Sequence, residues 1–356
     1  MKRKVIVLLI LVLAALPSAG VAQRPTFKSV TQLQSPQNPK LGFMIHGGAG
    51  VISKGSLSPE REKEYRAKLE EALMAGYKAL QEGRPGLDAV EIAIRIMEDS
   101  PLFNAGKGAV FTAEGKNELD ASIMNGKTLA AGAVAGLRRV RNPITLARAV
   151  MERSPHVMMA GEGAERFAAE QKLQLVEEKY FWTQPRWDAL QRILKEEKEK
   201  AGQSEKKVSM AEAEAPANKF GTVGAVALDK NGDLAAGTST GGMTNKKYGR
   251  IGDAPIIGAG TYADNNSCAV SATGWGEFFI RIGVARDIAA IMEYQAQTVQ
   301  AAADRVIKQK LQKLGGDGGI IAIDKFGNMA ISFNSEGMYR AYVNSEGKPV
   351  VEIYKD

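Results

Sequence analysis

The amino-acid sequence predicts an α+β fold in which helices dominate the first half and antiparallel strands the second. In the second half, a strand, a turn that begins Asp-Lys and a returning strand occur twice, at 222–238 and at 320–330. In the first half, apolar residues recur at helical spacing behind residues that typically begin helices. Two hairpins of one design indicate a sheet-rich second half, so the chain is expected to form a mixed fold.

Local signals predict the individual elements in order. A short strand over Leu41–Ile45 runs into a tight glycine turn at His46–Gly50. Ser58 is a typical N-cap and Pro59 a typical first helical residue, so a helix is expected from there to Gly83. Similar signals predict helices over Leu87–Met97, from Asn142-Pro143 and over Glu277 to about Tyr294, and strands over Pro255–Thr261 and Ser267–Thr273.

The first residues have the three-part pattern of a secretory signal peptide. Basic residues at 2–4 precede an apolar run, Val5–Leu16, and small residues follow up to Ala22. We therefore expect residues 1–22 to be removed and the mature chain, beginning near Gln23, to be secreted, or periplasmic if the source is Gram-negative. An uncleaved signal anchor is the alternative. No later stretch approaches the roughly 20 apolar residues of a membrane-spanning helix, so no membrane association is expected after removal.

Charge and cysteine content bear on partners and stability. The formal net charge is +7, but lysine and glutamate are interleaved rather than gathered into a basic stripe, so no nucleic-acid partner is expected. Cys268 is the only cysteine, which excludes an intrachain disulfide and leaves stability to a large core. Nothing marks it as an activated thiolate, and we interpret it as a small buried strand residue.

Composition changes abruptly before residue 220. From about 195 to 218 the chain is rich in Lys, Glu, Ala and Ser, which predicts a disordered linker. Directly after it, Gly221 and Thr222 open a strand-like run, and this position favours cleavage of the bond between them. Thr222 would then be a new chain start, and its α-amine, with a pKa of ~7.7–8.0, could take the proton of its own hydroxyl.

A threonine that carries its own base suits a chain with two histidines. His46 and His156 leave few candidates for a Ser-His-Asp triad or a histidine-rich metal site. His46 ends a predicted buried strand, and we interpret it as a structural residue. Gly221 leaves room for attack by the threonine hydroxyl and tolerates strained backbone angles. The alternative is that Thr222 simply begins an ordinary strand, because Gly-Thr-Val-Gly alone is a weak signal.

Seven short segments together carry a resemblance to a known family. They are His46–Gly50, Pro101–Gly106, Glu118–Ser122, Gly221–Ala227, Thr238–Lys246, Gly249–Asp253 and Thr273–Glu277. In these segments and in their order, from about residue 40 to the C-terminus, the chain resembles the plant-type (type III) L-asparaginase and isoaspartyl peptidase family of N-terminal nucleophile hydrolases. It departs from the family at Asn125-Gly126, where Asp-Gly is frequent, and in its long charged linker.

For the reacting residues, the resemblance implies that Thr222 is the nucleophile and that Gly221-Thr222 is the processing site. The hydroxyl of Thr240 would support the first threonine, and Asn104 would lie beside the processed residue. The resemblance also implies a structural sodium ion but no organic cofactor. The expected sodium ligands are backbone carbonyls of one loop, at Met97, Glu98, Ser100, Phe103, Ala105 and Lys107.

For the substrate, the resemblance implies two pairs of binding residues. Arg250 would bind the α-carboxylate with its two-pronged guanidinium, and Asp253 would pair with the α-ammonium. Without the motif, a surface salt bridge between them is the simpler interpretation. Thr273 and Gly274 would contact the substrate and stabilise the oxyanion of the tetrahedral intermediate, although a strand-ending turn is the alternative.

The resemblance further implies a four-layer αββα sandwich, in which two stacked, mainly antiparallel sheets are flanked by helices. Cleavage would give an α chain of residues 23–221 and a β chain of residues 222–356, which together form one domain. Two such αβ units would form a dimer. The implied reaction is hydrolysis of L-asparagine to aspartate and ammonia, cleavage of β-aspartyl (isoaspartyl) dipeptides, or both.

Three other functions remain open from the sequence. A glycosylasparaginase would share the nucleophile and the substrate-binding residues, but Gly241–Lys246 is more similar to the asparaginase branch. A threonine endopeptidase of the same fold would digest large protein substrates. A noncatalytic exported binding protein would remain a single uncut chain, which intact-mass analysis would detect.

Overall fold

In the computed structural model, which describes residues 33–34, 41–201 and 221–355, the chain forms two sheets and eight α-helices. The predicted signal peptide, residues 1–22, lies outside the described residues. The α-helices are α1 (Pro59–Gln81), α2 (Gly86–Glu98), α3 (Pro143–Arg153), α4 (Gly161–Glu170), α5 (Gln184–Ala201), α6 (Gly276–Ile282), α7 (Val284–Gln295) and α8 (Val299–Asp304). The strands are β1 (Leu33–Gln34), β2 (Gly42–Gly50), β3 (Leu119–Asn125), β4 (Ala131–Leu137), β5 (Met158–Ala160), β6 (Val223–Leu228), β7 (Leu234–Thr240), β8 (Thr261–Ala263), β9 (Cys268–Gly274), β10 (Gly318–Asp324), β11 (Asn328–Phe333), β12 (Gly337–Val343) and β13 (Pro349–Tyr354).

The first three α-helices form where the sequence predicts them. α1 begins at Pro59, and the side chain of Ser58 accepts a hydrogen bond from the backbone N–H of Arg61 at 3.2 Å. α2 and α3 begin at Gly86 and Pro143. Among the residues that the structure describes, none of the helices combines the length and the apolar character that a bilayer crossing requires.

The two sheets contain eight and five strands. The order is β13-β12-β2-β6-β7-β3-β4-β5 in the larger sheet and β1-β11-β10-β9-β8 in the smaller one. All neighbouring pairs are antiparallel except β4 with β5. Both predicted hairpins are confirmed, as β6–β7 and β10–β11. The strand that follows Thr222 is therefore an interior strand of the larger sheet.

Three hydrophobic cores stabilise the fold. In the first, helices α1 to α3 pack on the larger sheet around residues such as Phe43, and in the second, α6 to α8 pack on the smaller sheet around residues such as Phe279. The third core contains Met44 and Val226 of the larger sheet together with Ile321 of the smaller. Burying one such side chain contributes about 1.5–3 kcal/mol. A mixed fold with two sheets and helices is thus confirmed.

The first half contains more strand than predicted. β3 and β4 join the larger sheet, although the alanine and glycine residues of β4 have low strand propensity. Their small size serves helix packing, because a Cβ at Gly132 would lie 2.7 Å from the backbone nitrogen of Met151 in α3. Helices nevertheless dominate this half, as predicted, because α1 to α4 contain more residues than β2 to β5. The strands β3 and β4 were not predicted, since close contact with a helix outweighs local strand propensity here.

The predicted glycine turn at His46–Gly50 is also wrong, because β2 continues through these residues. The pairing of β2 with β12 contains a register shift, and Gly48 has a φ of 114°. A Cβ at Gly47 would lie 2.6 Å from the ring of Phe103. These glycines therefore permit an irregular strand and close packing rather than a chain reversal.

Two predictions in the second half are partly wrong. Most of Pro255–Thr261 forms turns, and the strand there is Thr261–Ala263. The predicted helix from Glu277 is two helices, α6 and α7, because Gly283 between them has a left-handed φ of 58°. The predicted strand over Ser267–Thr273 is confirmed as β9.

Helix α5 extends into the segment that was predicted to be a disordered linker. It runs to Ala201, so the expected disorder from about residue 195 is wrong for 195–201. Lysine and glutamate are good helix formers. The Nζ atom of Lys195 lies 4.0 Å from a carboxylate oxygen of Glu199 on one helical face. The rest of the predicted linker, 202–218, lies outside the described residues.

Candidate active site

The candidate nucleophile lies at the start of an interior strand. Thr222 directly precedes β6 and is 8% exposed, and its hydroxyl donates a hydrogen bond to the Thr240 hydroxyl at 3.0 Å. Thr240 ends β7, and its hydroxyl oxygen also accepts the backbone N–H of Gly242 at 3.0 Å. The structure thus brings together the two threonines that are predicted to cooperate.

Asn104 holds the peptide bond that precedes Thr222. Its backbone N–H donates to the Gly221 carbonyl at 3.0 Å, and its side-chain amide donates to the Gly242 carbonyl at 2.7 Å. A Cβ on Gly221 would lie 2.7 Å from the Cβ of Asn104, so only glycine fits here without a shift of the neighbouring chain. Asn104 therefore lies beside the predicted processing site and contacts its carbonyl oxygen.

His46 contacts the carbonyl oxygen of Thr222 rather than its hydroxyl. The Nδ1 atom lies 3.1 Å from that oxygen, and Nε2 lies 2.9 Å from the hydroxyl oxygen of Ser271. Burial lowers the pKa of His46 to about 3, so the ring is neutral. Because a carbonyl can only accept, we assign the ring proton to Nδ1, and Nε2 then accepts from Ser271. These contacts agree with a structural role.

Beyond His46, four hydroxyl groups form a buried network between the two sheets, which we call the hydroxyl chain. It consists of Ser271 and Thr261 from the smaller sheet and Thr238 and Ser122 from the larger. Successive oxygens are 2.7 Å apart from Ser271 to Thr238, 2.6 Å from Thr238 to Thr261 and 2.8 Å from Thr261 to Ser122. Ser122 also lies 2.6 Å from the carbonyl oxygen of Ala254. The chain thereby connects His46 to the residue that follows Asp253, a connection that the sequence analysis missed.

Thr273 and Gly274 end strand β9. Residues two apart on a strand face the same side, so Thr273 shares the face of Ser271. The Thr273 hydroxyl accepts the backbone N–H of Ala49 in β2 at 3.3 Å. At Gly274, a Cβ would lie 2.5 Å from the Asp317 carbonyl oxygen, which leaves no room for a side chain. Thr273 therefore contacts the larger sheet, and Gly274 follows it at the tightly packed end of β9.

Arg250 and Asp253, which we call the head-group pair, lie on one loop. The Nε and Nη2 atoms of Arg250 are each 2.8 Å from a carboxylate oxygen of Glu277. A Cβ on Gly276 would lie 2.8 Å from Arg250 Nη2 and 2.9 Å from Asp253 Oδ1. Because Gly276 follows Gly274 by two residues, the head-group pair adjoins the predicted oxyanion position. Glu277 was not among the residues predicted for the site, although its charge beside Gly-Trp-Gly in the sequence could have indicated it.

Asp253 is suited to receive a cation. Its Oδ2 atom is buried and lacks a hydrogen-bond partner among the described residues. Burial raises the pKa of Asp253 to about 7, and Arg250 opposes that rise. A buried carboxylate without a full set of partners is unfavourable, and a ligand ammonium would relieve this cost. The head-group pair can therefore take a ligand that carries an ammonium beside a carboxylate.

A second group of buried charges lies beside Thr240. Asp120 pairs with Thr240 across β3 and β7, and its Oδ2 atom lacks a hydrogen-bond partner among the described residues. Burial raises the pKa of Asp120, and the positive charge of Lys246 opposes that rise. The side chain of Lys246 is 2% exposed, and its Nζ lies 3.6 Å from a Glu118 carboxylate oxygen. These residues belong to segments that carry the resemblance, but they were not among the residues predicted for the site.

The residues predicted to hold sodium follow the end of α2. The chain leaves α2 at Glu98 and returns through a 3-10 helix at Gly106–Gly108. One oxygen of the Glu98 carboxylate, Oε1, accepts from the Ser239 hydroxyl at 2.7 Å and from the Ile144 N–H at 3.0 Å. Burial raises the pKa of Glu98 to about 8. Within the described ranges, no group of three or more His, Cys, Asp or Glu side chains is arranged to hold a metal ion.

Comparison with known proteins agrees with this arrangement. Residues 39–353 match the family model described as asparaginase. The chain is 50% identical to an isoaspartyl peptidase of Salmonella typhimurium over 320 residues, which are 89% of this chain and 99% of that protein. It is 50% identical to an isoaspartyl peptidase of Escherichia coli, over 89% of this chain and 97% of that protein. An isoaspartyl peptidase/L-asparaginase of Mus musculus is 42% identical, over 86% and 88% of the two chains.

Fold and comparisons together place the chain in a family. The mixed fold with two sheets and helices is consistent with that of the N-terminal nucleophile hydrolases. Within that class, the chain belongs to the plant-type asparaginase and isoaspartyl peptidase family, as its resemblance predicts.

Proposed function

We propose that this protein is an autoproteolytically activated threonine amidohydrolase that hydrolyses L-asparagine to aspartate and ammonia, cleaves β-aspartyl dipeptides, or does both. The hydrogen bond from the Thr222 hydroxyl to Thr240 carries the proposal, because it holds a hydroxyl beside a peptide bond that Asn104 contacts. The relatives named isoaspartyl peptidase or isoaspartyl peptidase/L-asparaginase support the substrate class.

Self-cleavage would begin with attack of the Thr222 hydroxyl oxygen on the Gly221 carbonyl carbon. The Thr240 oxygen already accepts the hydrogen bond of the attacking group, and the N–H of Asn104 would stabilise negative charge on the Gly221 oxygen. The C–N bond then breaks, the nitrogen takes a proton, and Gly221 becomes an ester of Thr222. Water hydrolyses this ester, which leaves a Gly221 carboxylate and a Thr222 α-amine.

Turnover of substrate would use the same hydroxyl with its amine now free. The amine takes the hydroxyl proton as the Thr222 oxygen attacks the side-chain amide carbon, and then gives a proton to the leaving nitrogen. Ammonia or an amino acid departs, and water, losing a proton to the amine, hydrolyses the remaining ester to aspartate. Thr273 and Gly274 would stabilise the oxyanion, and loss of one such donor typically costs ~10²–10³ in rate.

The proposal is tested by intact-mass analysis of the purified protein, N-terminal sequencing of its smaller fragment and assays of aspartate release. We expect a fragment that begins at Thr222 and cut protein that hydrolyses L-asparagine, a β-aspartyl dipeptide, or both. An uncut chain with full activity would contradict the mechanism. Release of N-acetylglucosamine from its asparagine conjugate would instead indicate a glycosylasparaginase, and digestion of large proteins a threonine endopeptidase.

Substrate recognition is expected to depend on pH through Asp253. The carboxylate must be ionised to pair with an ammonium, so the pairing should weaken as the pH falls through about 7. Inhibition constants of L-aspartate and of succinate, which lacks only the ammonium, would be measured between about pH 5.5 and 8.5. The advantage of L-aspartate should shrink below about pH 7 by up to roughly tenfold per pH unit. An advantage that stays constant over this range would contradict the role of Asp253.

The Gly276→Ala substitution is expected to raise KM by ~10-fold or more, because the added methyl group would displace the head-group pair. Self-cleavage should be unaffected, since the three atoms nearest to the added methyl group belong to Arg250 and Asp253 and not to the processing site. Gly163→Ala is the matched control, because a Cβ there meets no atom within 4 Å. Both variants would be measured by steady-state kinetics. Equal KM values would contradict the placement of the head-group pair beside Gly276.

The proposal includes the chain organisation that the resemblance implies. Residues 23–221 would form the α chain and residues 222–356 the β chain of one αββα domain, and two such units would form a dimer. The three cores support the layer order, because one lies on each helix-covered sheet and the third contains side chains of both sheets. Small-angle scattering and analytical ultracentrifugation of the cut protein would test the dimer.

Export is part of the same proposal. The pattern of basic, apolar and small residues over 1–22 supports a signal peptide, and the protein would then act outside the cytoplasm, in the periplasm of a Gram-negative source. N-terminal sequencing of the α chain tests this, because removal of the signal would expose a residue near Gln23.

A structural sodium ion is also proposed, bound by the backbone carbonyls of Met97, Glu98, Ser100, Phe103, Ala105 and Lys107. The loop is tight enough that a Cβ on Gly106 would overlap the Glu98 carbonyl, and one on Gly108 would overlap that of Phe103. A cradle of this kind, built from oxygen ligands, fits a hard cation. Exchange of sodium for a bulky organic cation should lower the melting temperature, independently of activity.

A further inference from the structure

A cavity of about 310 Å³ adjoins the predicted processing site. Gly221 lines it, and so does Asn104, whose N–H contacts the Gly221 oxygen. The carbonyl carbon of Gly221 is bonded to the nitrogen of Thr222. The cavity therefore lies beside the atom that becomes the α-amine when the chain is cut.

Two arginines, Arg186 and Arg192, bring positive charge to this cavity. The Nε of Arg186 donates to the Gly108 carbonyl at 2.9 Å, and its Nη2 donates to the Leu102 carbonyl at 3.4 Å. Burial lowers the pKa of Arg186, and the charged groups acting on it within the described chain include no carboxylate. These carbonyl oxygens accept two hydrogen bonds from Arg186 but carry no full negative charge, so an anion in the cavity would be attracted.

The same cavity has an apolar wall. The rings of Tyr65 and Tyr339 stack with their centroids 4.4 Å apart and their planes at 14°, and both residues line the cavity. Val51, Ile52 and Leu102 line it as well. A cavity that combines cations with apolar and aromatic groups suits a small molecule with a carboxylate and an apolar side chain.

We propose that this cavity, the leaving-residue subsite, binds the C-terminal amino acid of a β-aspartyl dipeptide, with Arg186 and Arg192 attracting its free carboxylate. This proposal rests on the proposed function, in which the leaving nitrogen must come within hydrogen-bond reach of the Thr222 amine. Before cleavage, the nitrogen of that amine is the amide nitrogen bonded to Gly221. A residue attached to the leaving nitrogen would therefore lie next to the cavity once the chain is cut. L-Asparagine, whose leaving group is ammonia, would leave the subsite unfilled.

Self-cleavage creates another carboxylate nearby, that of Gly221. The Gly221 carboxylate and the carboxylate of the leaving residue would present the same anion to the arginines. Only the leaving residue can be changed by changing the substrate. The experiment therefore compares three substrates of the cut protein: β-aspartyl-leucine, its C-terminal amide and L-asparagine. For the unmutated protein we expect kcat/KM to be at least ~10-fold higher for the dipeptide than for its amide, mainly through a lower KM.

The variants assign the effect to Arg186. Arg186→Gln should lower kcat/KM for β-aspartyl-leucine by ~10-fold or more while leaving the amide and L-asparagine nearly unchanged. Arg186→Lys should restore part of the loss, because it retains the positive charge. Arg166→Gln is the matched control, since this exposed residue of α4 lines other cavities and its loss changes the net charge equally.

Several results would overturn the inference. Equal kcat/KM for the dipeptide and its amide on the unmutated protein would do so without requiring any variant to fold. If Arg186→Gln and Arg192→Gln each lowered kcat/KM equally for all three substrates, the arginines would have a structural role only. An effect confined to the extent of self-cleavage would assign the cavity to the Gly221 carboxylate. Failure of the proposed function can be distinguished from failure of the subsite proposal. In that case the cut, unmutated protein would release aspartate from none of the three substrates.

Discussion

Replacing Thr222 by alanine is expected to abolish both self-cleavage and hydrolysis of asparagine or β-aspartyl dipeptides. In the proposed mechanism the substitution removes the oxygen that attacks the carbonyl carbon in both reactions, and it removes the hydrogen bond that Thr240 accepts from Thr222. We expect hydrolysis to fall by at least ~10⁴-fold, as is usual when a nucleophile is removed. Intact-mass analysis should show one uncut chain, and an ammonia-release assay should show no activity above background.

Thr222→Ser is the control, because it retains the hydroxyl at nearly the same place. This variant should still be cut and should still hydrolyse substrate, although the lost methyl group leaves the hydroxyl freer to rotate. A Thr222→Ala chain that was cut at the same bond would show that another group attacks Gly221. Normal ammonia release by the uncut Thr222→Ala chain would remove the basis of the mechanism.

Replacing Arg250 by alanine is expected to destroy substrate binding while sparing self-cleavage. The guanidinium is a planar donor that can hold a carboxylate at two points, and its contacts lie with Glu277 and the head-group loop rather than with Gly221. Loss of one partner of a buried charge pair typically costs ~2–5 kcal/mol, so kcat/KM should fall by at least ~30-fold. Steady-state kinetics and intact-mass analysis of the same preparation would show both effects.

Arg250→Lys separates charge from geometry. Lysine retains the positive charge but lacks the two-pronged donor, so we expect a KM between those of the unmutated protein and Arg250→Ala. Glu277→Gln probes the other partner, because it removes the ion pair that orients the guanidinium at 2.8 Å. If Arg250→Ala had an unchanged KM, the α-carboxylate would have to bind elsewhere.

The elements that the sequence predicts well are those specified by neighbouring residues. Ser58 and Pro59 begin a helix through local hydrogen bonding and backbone geometry, and the Asp-Lys turns join strands that are adjacent in the chain. β4 was missed because its conformation depends on contact with α3 rather than on its own alanines and glycines. Gly47 of β2 likewise depends on packing against Phe103.

The candidate site likewise contains residues that the sequence predicts and contacts that it does not. Thr222, Thr240 and the head-group pair stand in short segments, so their types and spacing were sufficient to propose them. The contacts of His46 could not be predicted in this manner, because its partner Ser271 lies 225 residues away in the sequence. The sequence could not predict either that Oδ2 of Asp253 lacks a hydrogen-bond partner among the described residues, since this depends on which groups fold around it.

The hydroxyl chain has a consequence for how the two sheets fit together. Apolar surfaces tolerate small sliding movements, because dispersion attraction has little directional preference. The hydrogen bonds of 2.7 Å between Thr238 and Ser271 and of 2.6 Å between Thr238 and Thr261 do not tolerate such sliding, because buried hydroxyl groups would lose their partners in a place that water does not reach. A single alignment of one sheet upon the other is thereby selected. The distance between Thr222, the proposed nucleophile, and the head-group pair depends on that alignment.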